Sequence, residues 1–255
     1  MVSQTISEKE LFQKVHRLTE NKVWHDIPDV KGYRGTGTPG TMLEELLNID
    51  PNNRDSPDMA GWEIKFKRSG SLKSSLMTLF HLDPYPKGIT WRMVNKYGIL
   101  QEDGAKSFRH TINIRTLSGY SKRGFRPISV NDEIKIEHLS GVMDNMPRWE
   151  HSDILNAAAS KLRRVIVVEG TYNKKERKIR YESGIKMDKF RSSEFIKIIT
   201  EEGKVMIEWD ARSKGEQIAT SGQWAGKIRP QKNHGVKFRI KYADLPSLWN
   251  NIERL

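Results

Sequence analysis

Leu11, Val15 and Leu18 recur at helical spacing behind a Ser7–Glu10 pair with capping-box spacing, which predicts a helix over 7–21. Thr41 and Glu44 repeat that spacing and predict a short helix over 41–47. A turn-rich loop with Gly32, Gly35, Gly37, Pro39 and Gly40 lies between the two, and 50–57 is again polar and turn-prone. Over 61–68 the period changes to two. Trp62, Ile64 and Phe66 are apolar while Glu63, Lys65 and Lys67 are polar, so this segment reads as a strand with one packed face and one wet face.

Further strands are expected at 75–80, 110–116, 133–138, 179–182, 205–209 and 236–240, and the uniformly apolar run at 165–168 reads as a buried strand. Helices are expected at 90–97, 153–162 and 192–202, with a last one capped by Asp244 and carrying Pro246 early. Strands and helices are mixed, which places the chain in the α/β or α+β class. No internal repeat and no clean linker divides it.

Composition narrows what such a fold does. A chain of 255 residues buries a proper core, and the absence of cysteine excludes disulfides, thiol catalysis and cysteine-ligated zinc. No apolar run approaches the roughly 20 residues that span a bilayer, and residues 1–10 lack the apolar stretch of a signal peptide. A cytoplasmic setting without membrane contact is therefore expected. Lys and Arg total 44 against 32 Asp and Glu, a net charge of +12 that attracts polyanions, of which duplex DNA is the densest common one. The basic residues are spread along the chain and not gathered on one amphipathic helix, which argues against a membrane-surface function.

The strand at 61–68 carries candidate chemistry. Side chains two apart on a strand leave the same face, roughly 7 Å apart, so Glu63 and Lys65 point the same way. Asp58 lies just upstream, after Pro57, where the chain can turn its carboxylate toward them. Two carboxylates and an amine converging on a sheet suit phosphodiester hydrolysis: hard oxygen ligands hold Mg²⁺, the ion polarises phosphate and acidifies water, and lysine offsets charge in the transition state. A Glu-x-Lys triplet alone is weak evidence, since it recurs at Glu20, Glu133, Glu176 and Glu202. Glu133 and Lys135 also sit on an expected strand and are the real rival. Context separates Glu63: an upstream Pro-Asp, an alternating strand, and a capped helix carrying Glu44 just before.

Gly40-Thr-Met-Leu-Glu44-Glu-Leu-Leu, Ser56-Pro-Asp58, Trp62-Glu63-Ile-Lys65 and Ser75-Leu-Met-Thr-Leu-Phe80, in that order, resemble the MvaI/BcnI family of type II restriction endonucleases. The same order is similar to the MutH-like mismatch-repair nickases. Asn95-Lys-Tyr97-Gly98, Lys161-Leu-Arg-Arg-Val-Ile-Val-Val168 and Asn233-His234-Gly235-Val-Lys-Phe238-Arg239-Ile240 extend the likeness, dense over about 30–100 and patchy but in order to about 240. The resemblance implies a PD-(D/E)XK nuclease fold, a mixed sheet flanked by helices with the site at a strand edge. It makes Asp58 and Glu63 the Mg²⁺ ligands and Lys65 the catalytic lysine. Glu44 matches a helix glutamate that supports the site, against the plainer reading of a capping residue at a helix start. The products implied are 5′-phosphate and 3′-hydroxyl ends, from a monomer that cuts the two strands in separate events at a short, nearly symmetric, G·C-flanked site (CCNGG-like) in double-stranded DNA. A companion DNA methyltransferase belongs to the same expectation. One endonuclease domain over 1–255 is expected, with a core lobe at about 30–170 and a recognition lobe at about 171–255 joined by the N-terminal helix.

Base reading must come from outside the acid cluster. Lys227-Ile-Arg229-Pro-Gln231-Lys232-Asn233-His234 is basic and polar and precedes a strand. Arg and Lys bridge guanine O6 and N7, and Asn or Gln reads adenine. Arg229, Lys232, Asn233, His234 and Arg239 are the candidate DNA contacts, the last two from the family's His-Gly and Phe-Arg motif. Where the family has a second histidine, this chain has Lys232, which leaves the central base pair open. Tyr85, Lys87, Arg92, Asn95 and Tyr97 form a second basic-aromatic group, suited to phosphate contact or to an ordinary packed helix. Two other readings stand beside the restriction enzyme: a nickase that depends on a repair partner, and a non-catalytic DNA-binding module.

Overall fold

The computed structural model describes residues 6–30, 33, 37–49, 58–70, 75–141 and 145–255. The loop positions Gly32 and Gly35 and the stretch 50–57 lie outside the described residues. In chain order the first elements are α1 (Glu8–Asn21), β1 (Trp24–Asp26), α2 (Thr38–Leu47), β2 (Glu63–Arg68), β3 (Leu76–His81), α3 (Ile89–Tyr97), β4 (Ile99–Leu100) and β5 (Lys106–Ile112). There follow β6 (Phe125–Val130), β7 (Glu133–His138), β8 (Arg148–Glu150), α4 (His151–Leu162), β9 (Arg164–Asn173) and β10 (Lys178–Phe190). The last are α5 (Phe195–Thr200), β11 (Val205–Arg212), β12 (Lys232–Lys241) and β13 (Trp249–Arg254), with 3-10 turns at Ser192–Glu194, Gly222–Trp224 and Tyr242–Leu248. This is the mixed α+β class that the sequence predicts. No helix among the described residues is long and apolar enough to cross a membrane.

The chain forms two compact units, each drawing on segments from both sides of residue 170: Met1–Ser75, Ala158–Arg191 and Leu245–Leu255 in one, Leu76–Ala157 and Ser192–Asp244 in the other. In the first unit the sheet order is β1-β10-β9-β2, with β13 also pairing with β10. β2 is its edge strand and runs parallel to β9, with Glu63 opposite Val165 and Lys65 opposite Val167. Leu11 and Val15 of α1, Leu43 and Leu47 of α2, and Trp62, Ile64, Ile166, Val168 and Tyr181 of the sheet form one core cluster. Each large apolar side chain buried there contributes about 1.5–3 kcal/mol. Phe12 meets Trp62 edge-on with ring centroids 5.2 Å apart, which fixes α1 over the start of β2. The expected capping box closes α1: Ser7 Oγ accepts from Glu10 N–H at 3.2 Å, and Glu10 Oε2 accepts from Ser7 N–H at 2.7 Å.

The second unit holds an antiparallel sheet in the order β3-β12-β11-β5-β4 and a smaller one in the order β6-β7-β8. Its core is aromatic. Phe80 stacks on Phe238 at 4.7 Å, and Trp149 packs against Phe238 and Trp209.

Several boundaries differ from the periodicity, each for a local reason. α2 starts at Thr38 with Gly37 as a cap that makes no side-chain hydrogen bond, and Pro39 sits in its first turn, where a fixed φ and a missing N–H suit a helix start. Thr41 and Glu44 therefore form no capping box, and Glu44 projects from the helix interior. β10 runs for 13 residues instead of four, because an irregularity between Tyr181 and Ser183 shifts the pairing and breaks the period of two. β5 covers Lys106–Ile112, earlier than the expected 110–116. The helix expected after Asp244 is only a 3-10 turn containing Pro246, and the chain continues as β13.

Candidate active site

Along β2 the alternation holds: Trp62 and Ile64 enter the core, while Glu63, Lys65 and Lys67 occupy the opposite face. That face is not the wet one its polarity predicts. Glu63 is 8% exposed and Lys67 9%, and the β9 residues beside Glu63 and Lys65, Val165 and Val167, are fully buried. The polar face of an edge strand here lines a protein interior, where charges interact strongly because little water screens them.

Four charged groups gather near Glu63, one from its own strand and three from other segments. Lys65 Nζ donates to Glu63 Oε1 at 3.0 Å, as expected for positions two apart. Lys161, in the last turn of α4, donates to Glu63 Oε2 at 3.2 Å. Asp58 is drawn to the same strand because its Oδ2 accepts the Ile64 backbone N–H at 2.7 Å. Burial pushes the Asp58 carboxyl above the ordinary carboxylate range; the negative charge of Glu63 adds to this, and the Ile64 N–H, Lys161 and Lys65 oppose it. Glu44, half-buried on α2, is also raised, first by burial and then by repulsion from Asp58 and Glu63, with Lys65 offsetting part of it. Three acids thus share one electrostatic neighbourhood with two amines.

This donor set fits a hard divalent cation. Its oxygens are carboxylates, and Asp58 and Glu44 carry negative charge against both desolvation and a neighbouring carboxylate, a cost that a cation relieves. Among the described residues no three His, Cys, Asp or Glu side chains form a ready-made metal cage. Mg²⁺ needs none, since it binds through one or two carboxylates and keeps several waters. The rival pair does not match this pattern. Glu133 on β7 accepts from Lys135 at 2.9 Å and from Arg148 at 3.1 Å, and these cations hold its carboxyl below the usual range. The carboxyls of Asp58 and Glu44 are instead pushed above it.

The residues expected to read DNA fall into four environments, all in the second unit. Arg229, Lys232 and His234 line a polar cavity of about 690 Å³, together with Arg109, Asp210 and Arg212. Asp210 pairs with Arg109 at 3.0 Å and lies 3.9 Å from His234 Nε2. Asn233 instead supports the turn, its Oδ1 accepting the Gly235 N–H at 3.0 Å. Arg239 is tied into its sheet by Glu208 at 2.7 Å and the Leu76 carbonyl at 3.0 Å. Asn95 and Tyr97 line a different cavity of about 430 Å³, and the Tyr97 ring packs edge-on against Phe125. Lys161 was missed as a site residue because its link to Glu63 spans 98 positions; a cation in the last turn of a helix reads equally well as a complement to the helix dipole. Arg109 and Asp210 became visible only through the pairing of β5 with β11.

A glutamate and a lysine on the edge strand of a mixed sheet, with Asp58 held beside that strand and Glu44 on a neighbouring helix, match the arrangement expected of the PD-(D/E)XK class of nucleases. More particularly, the sequence pattern of the MvaI/BcnI restriction endonuclease family matches residues 4–249, and the chain belongs to that family. It is a site-specific deoxyribonuclease. Among solved structures, the restriction endonuclease MvaI in complex with its cognate DNA substrate matches with a TM-score of 0.74 at 21% identity, over 98% of this chain and 99% of that one. That likeness establishes a shared fold. The restriction endonuclease MvaI in the absence of DNA matches with a TM-score of 0.49 at 21% identity, over 100% and 99% of the two chains. No curated protein sequence matches at a stringent threshold.

Proposed function

We propose that this protein is a Mg²⁺-dependent type II restriction endonuclease that hydrolyses both strands of duplex DNA at a short, G·C-flanked sequence. The observation that supports this most is that Lys65 and Lys161 both engage the Glu63 carboxylate while the Ile64 N–H holds Asp58 against the same strand. Asp58 and Glu63 would hold the ion, with Glu44 adding negative charge behind them. When bound, a hard divalent cation supplies positive charge to the scissile phosphate and acidifies water for attack. Lys65 brings an ammonium to the same place, where it orients the attacking water and offsets the charge that develops on the phosphate. Lys161 fixes the second oxygen of Glu63. Water adds to phosphorus, the bond to the 3′ oxygen breaks, and the products carry 5′-phosphate and 3′-hydroxyl ends.

Recognition is assigned to the polar cavity of the second unit. Its Arg and Lys side chains suit guanine edges, and Asp210 suits a cytosine amino group. The enzyme acts as a monomer in the cytoplasm, cuts the strands in separate events, and is accompanied by a methyltransferase that protects the host site. Purified protein incubated with plasmid DNA and Mg²⁺ tests this reading. Linear product with fixed ends, abolished by EDTA, supports it. Accumulation of nicked circles alone favours a partner-dependent nickase, and binding without any cleavage favours a non-catalytic module. Sequencing the fragment ends from a genome of known sequence then identifies the site.

A further inference from the structure

The connection between β11 and β12, residues 213–231, is not a slack loop. It leaves and returns as a paired excursion: Gly215 N–H donates to the Arg229 carbonyl at 2.9 Å, Ala219 N–H to the Lys227 carbonyl at 3.0 Å, and Ile218 bridges Ile228. At its tip a 3-10 turn carries Gln223 and Trp224 into the lining of the polar cavity.

The base of this arm rests on one residue in the tight turn between β4 and β5. The carbonyl of Asp103 accepts from the N–H groups of Glu216 at 2.8 Å and Gln217 at 3.1 Å. Its side chain, in a residue only 4% exposed, lies 3.2 Å from Arg229 Nε. The two groups are close but misaligned: neither Asp103 Oδ2 nor Arg229 Nε makes a hydrogen bond. Gly215 closes the contact, since a methyl group there would stand 3.1 Å from Asp103 Oδ2. A buried ion pair is a poor source of stability, because desolvation offsets its Coulomb attraction and an apolar pair of similar volume does as well or better. An imperfectly hydrogen-bonded one is poorer still. What the pair supplies is orientation: it fixes the guanidinium of Arg229, a lining residue of the cavity, and with it the arm.

We propose that Asp103 is a positioning residue for sequence recognition, which locks Arg229 and the 213–231 arm against the cavity that reads DNA. The proposal rests on the assignment of that cavity to recognition. Asp103 touches no DNA itself and acts through Arg229.

The test compares the wild type, Asp103→Asn, Arg229→Gln and the double variant. Substrates are a duplex bearing the site found by fragment-end sequencing and duplexes with single base changes in it. Asp103→Asn should raise KM for the site at least tenfold and lower its preference over the altered sites by a similar factor, with kcat within twofold of wild type. In the Arg229→Gln background the same substitution should change KM less than twofold, because the group it positions is gone. An unchanged KM and preference, or effects of the two substitutions that simply multiply, would overturn the proposal. If Asp103→Asn lowers Tm enough to confuse the reading, Gly215→Ala, which presses on the same carboxylate, must produce the same split between KM and kcat, and a Gly215→Ala enzyme that is stable and fully selective overturns it. A wild type that cleaves without sequence preference overturns both this proposal and the proposed function, whereas a selective wild type matched by an equally selective Asp103→Asn overturns this proposal alone.

Discussion

Lys161 Nζ lies 3.2 Å from Glu63 Oε2, joining the end of α4 to the edge strand β2 across 98 positions of sequence. With Lys65 on the other oxygen, Glu63 is held by two ammonium groups inside the protein. A carboxylate so placed has a fixed direction before any ligand arrives, which spares the reorganisation that a mobile acid would require.

Lys161→Met keeps the length and apolar stem of the side chain and removes the ammonium. A charged hydrogen bond of this kind contributes about 1.5–3 kcal/mol, so kcat should fall by about tenfold to a hundredfold if the bond is felt in full in the transition state. Steady-state cleavage with Tm measured in parallel checks it. A variant with wild-type kcat would mean that Lys161 merely packs.

Metal should stabilise the folded protein, since it binds an acid cluster that the unfolded chain lacks. Tm should rise with added Mg²⁺ in the wild type. Asp58→Asn removes one of the mutually repelling charges, so its metal-free Tm should equal or exceed that of the wild type while its response to Mg²⁺ disappears. An undiminished response would place the ion elsewhere.

Tyr181 is fully buried on β10, and its hydroxyl donates to the Pro39 carbonyl in the first turn of α2 at 3.0 Å. Because α2 carries Glu44 and has no side-chain cap, this bond is a main tether of its start. Tyr181→Phe keeps the ring packing against Phe66 and should lower stability by about 1 kcal/mol, read as a shifted urea midpoint with an unchanged slope. No shift would indicate that packing alone seats the helix.

His110 lies between Phe108 and Phe125 and exchanges a 2.8 Å hydrogen bond with Ser121. Burial, then the nearby charge of Arg123, depresses its pKa from the ordinary 6.5 to about 4. The unfolded chain therefore takes up this proton first as pH falls. The stability that neutral His110 contributes is complete above about pH 6.5 and is lost progressively toward pH 4. Denaturant titrations between those limits should show a steeper loss in the wild type than in His110→Gln. Parallel losses would contradict the assignment.

Much of the candidate site is legible because its residues are close in sequence. Asp58, Glu63 and Lys65 lie within eight residues, and strand parity alone puts two of them on one face. What escaped is non-local or depends on burial. The polar face of β2 reads as solvated, and its burial shows only in the fold, where Glu63, Lys67 and the adjacent Val165 and Val167 are all buried. For Glu44 the sequence offers both a place beside the acids and a capping function; the second falls away because the helix starts at Thr38 with Pro39 in its first turn. Arg239 reads as a DNA contact in sequence, but Glu208 of the adjacent strand engages its guanidinium. Neighbours set by strand pairing, as with Arg109 and Asp210, or by packing of a helix end on a sheet, as with Lys161 and Glu63, leave no periodic trace in the sequence.

The central claim is that Asp58 and its neighbours perform the cleavage, and Asp58→Ala tests it most directly. Plasmid cleavage in Mg²⁺ should fall below detection while the variant still shifts a duplex carrying the recognition site in a gel. Cleavage at the wild-type rate would contradict the account.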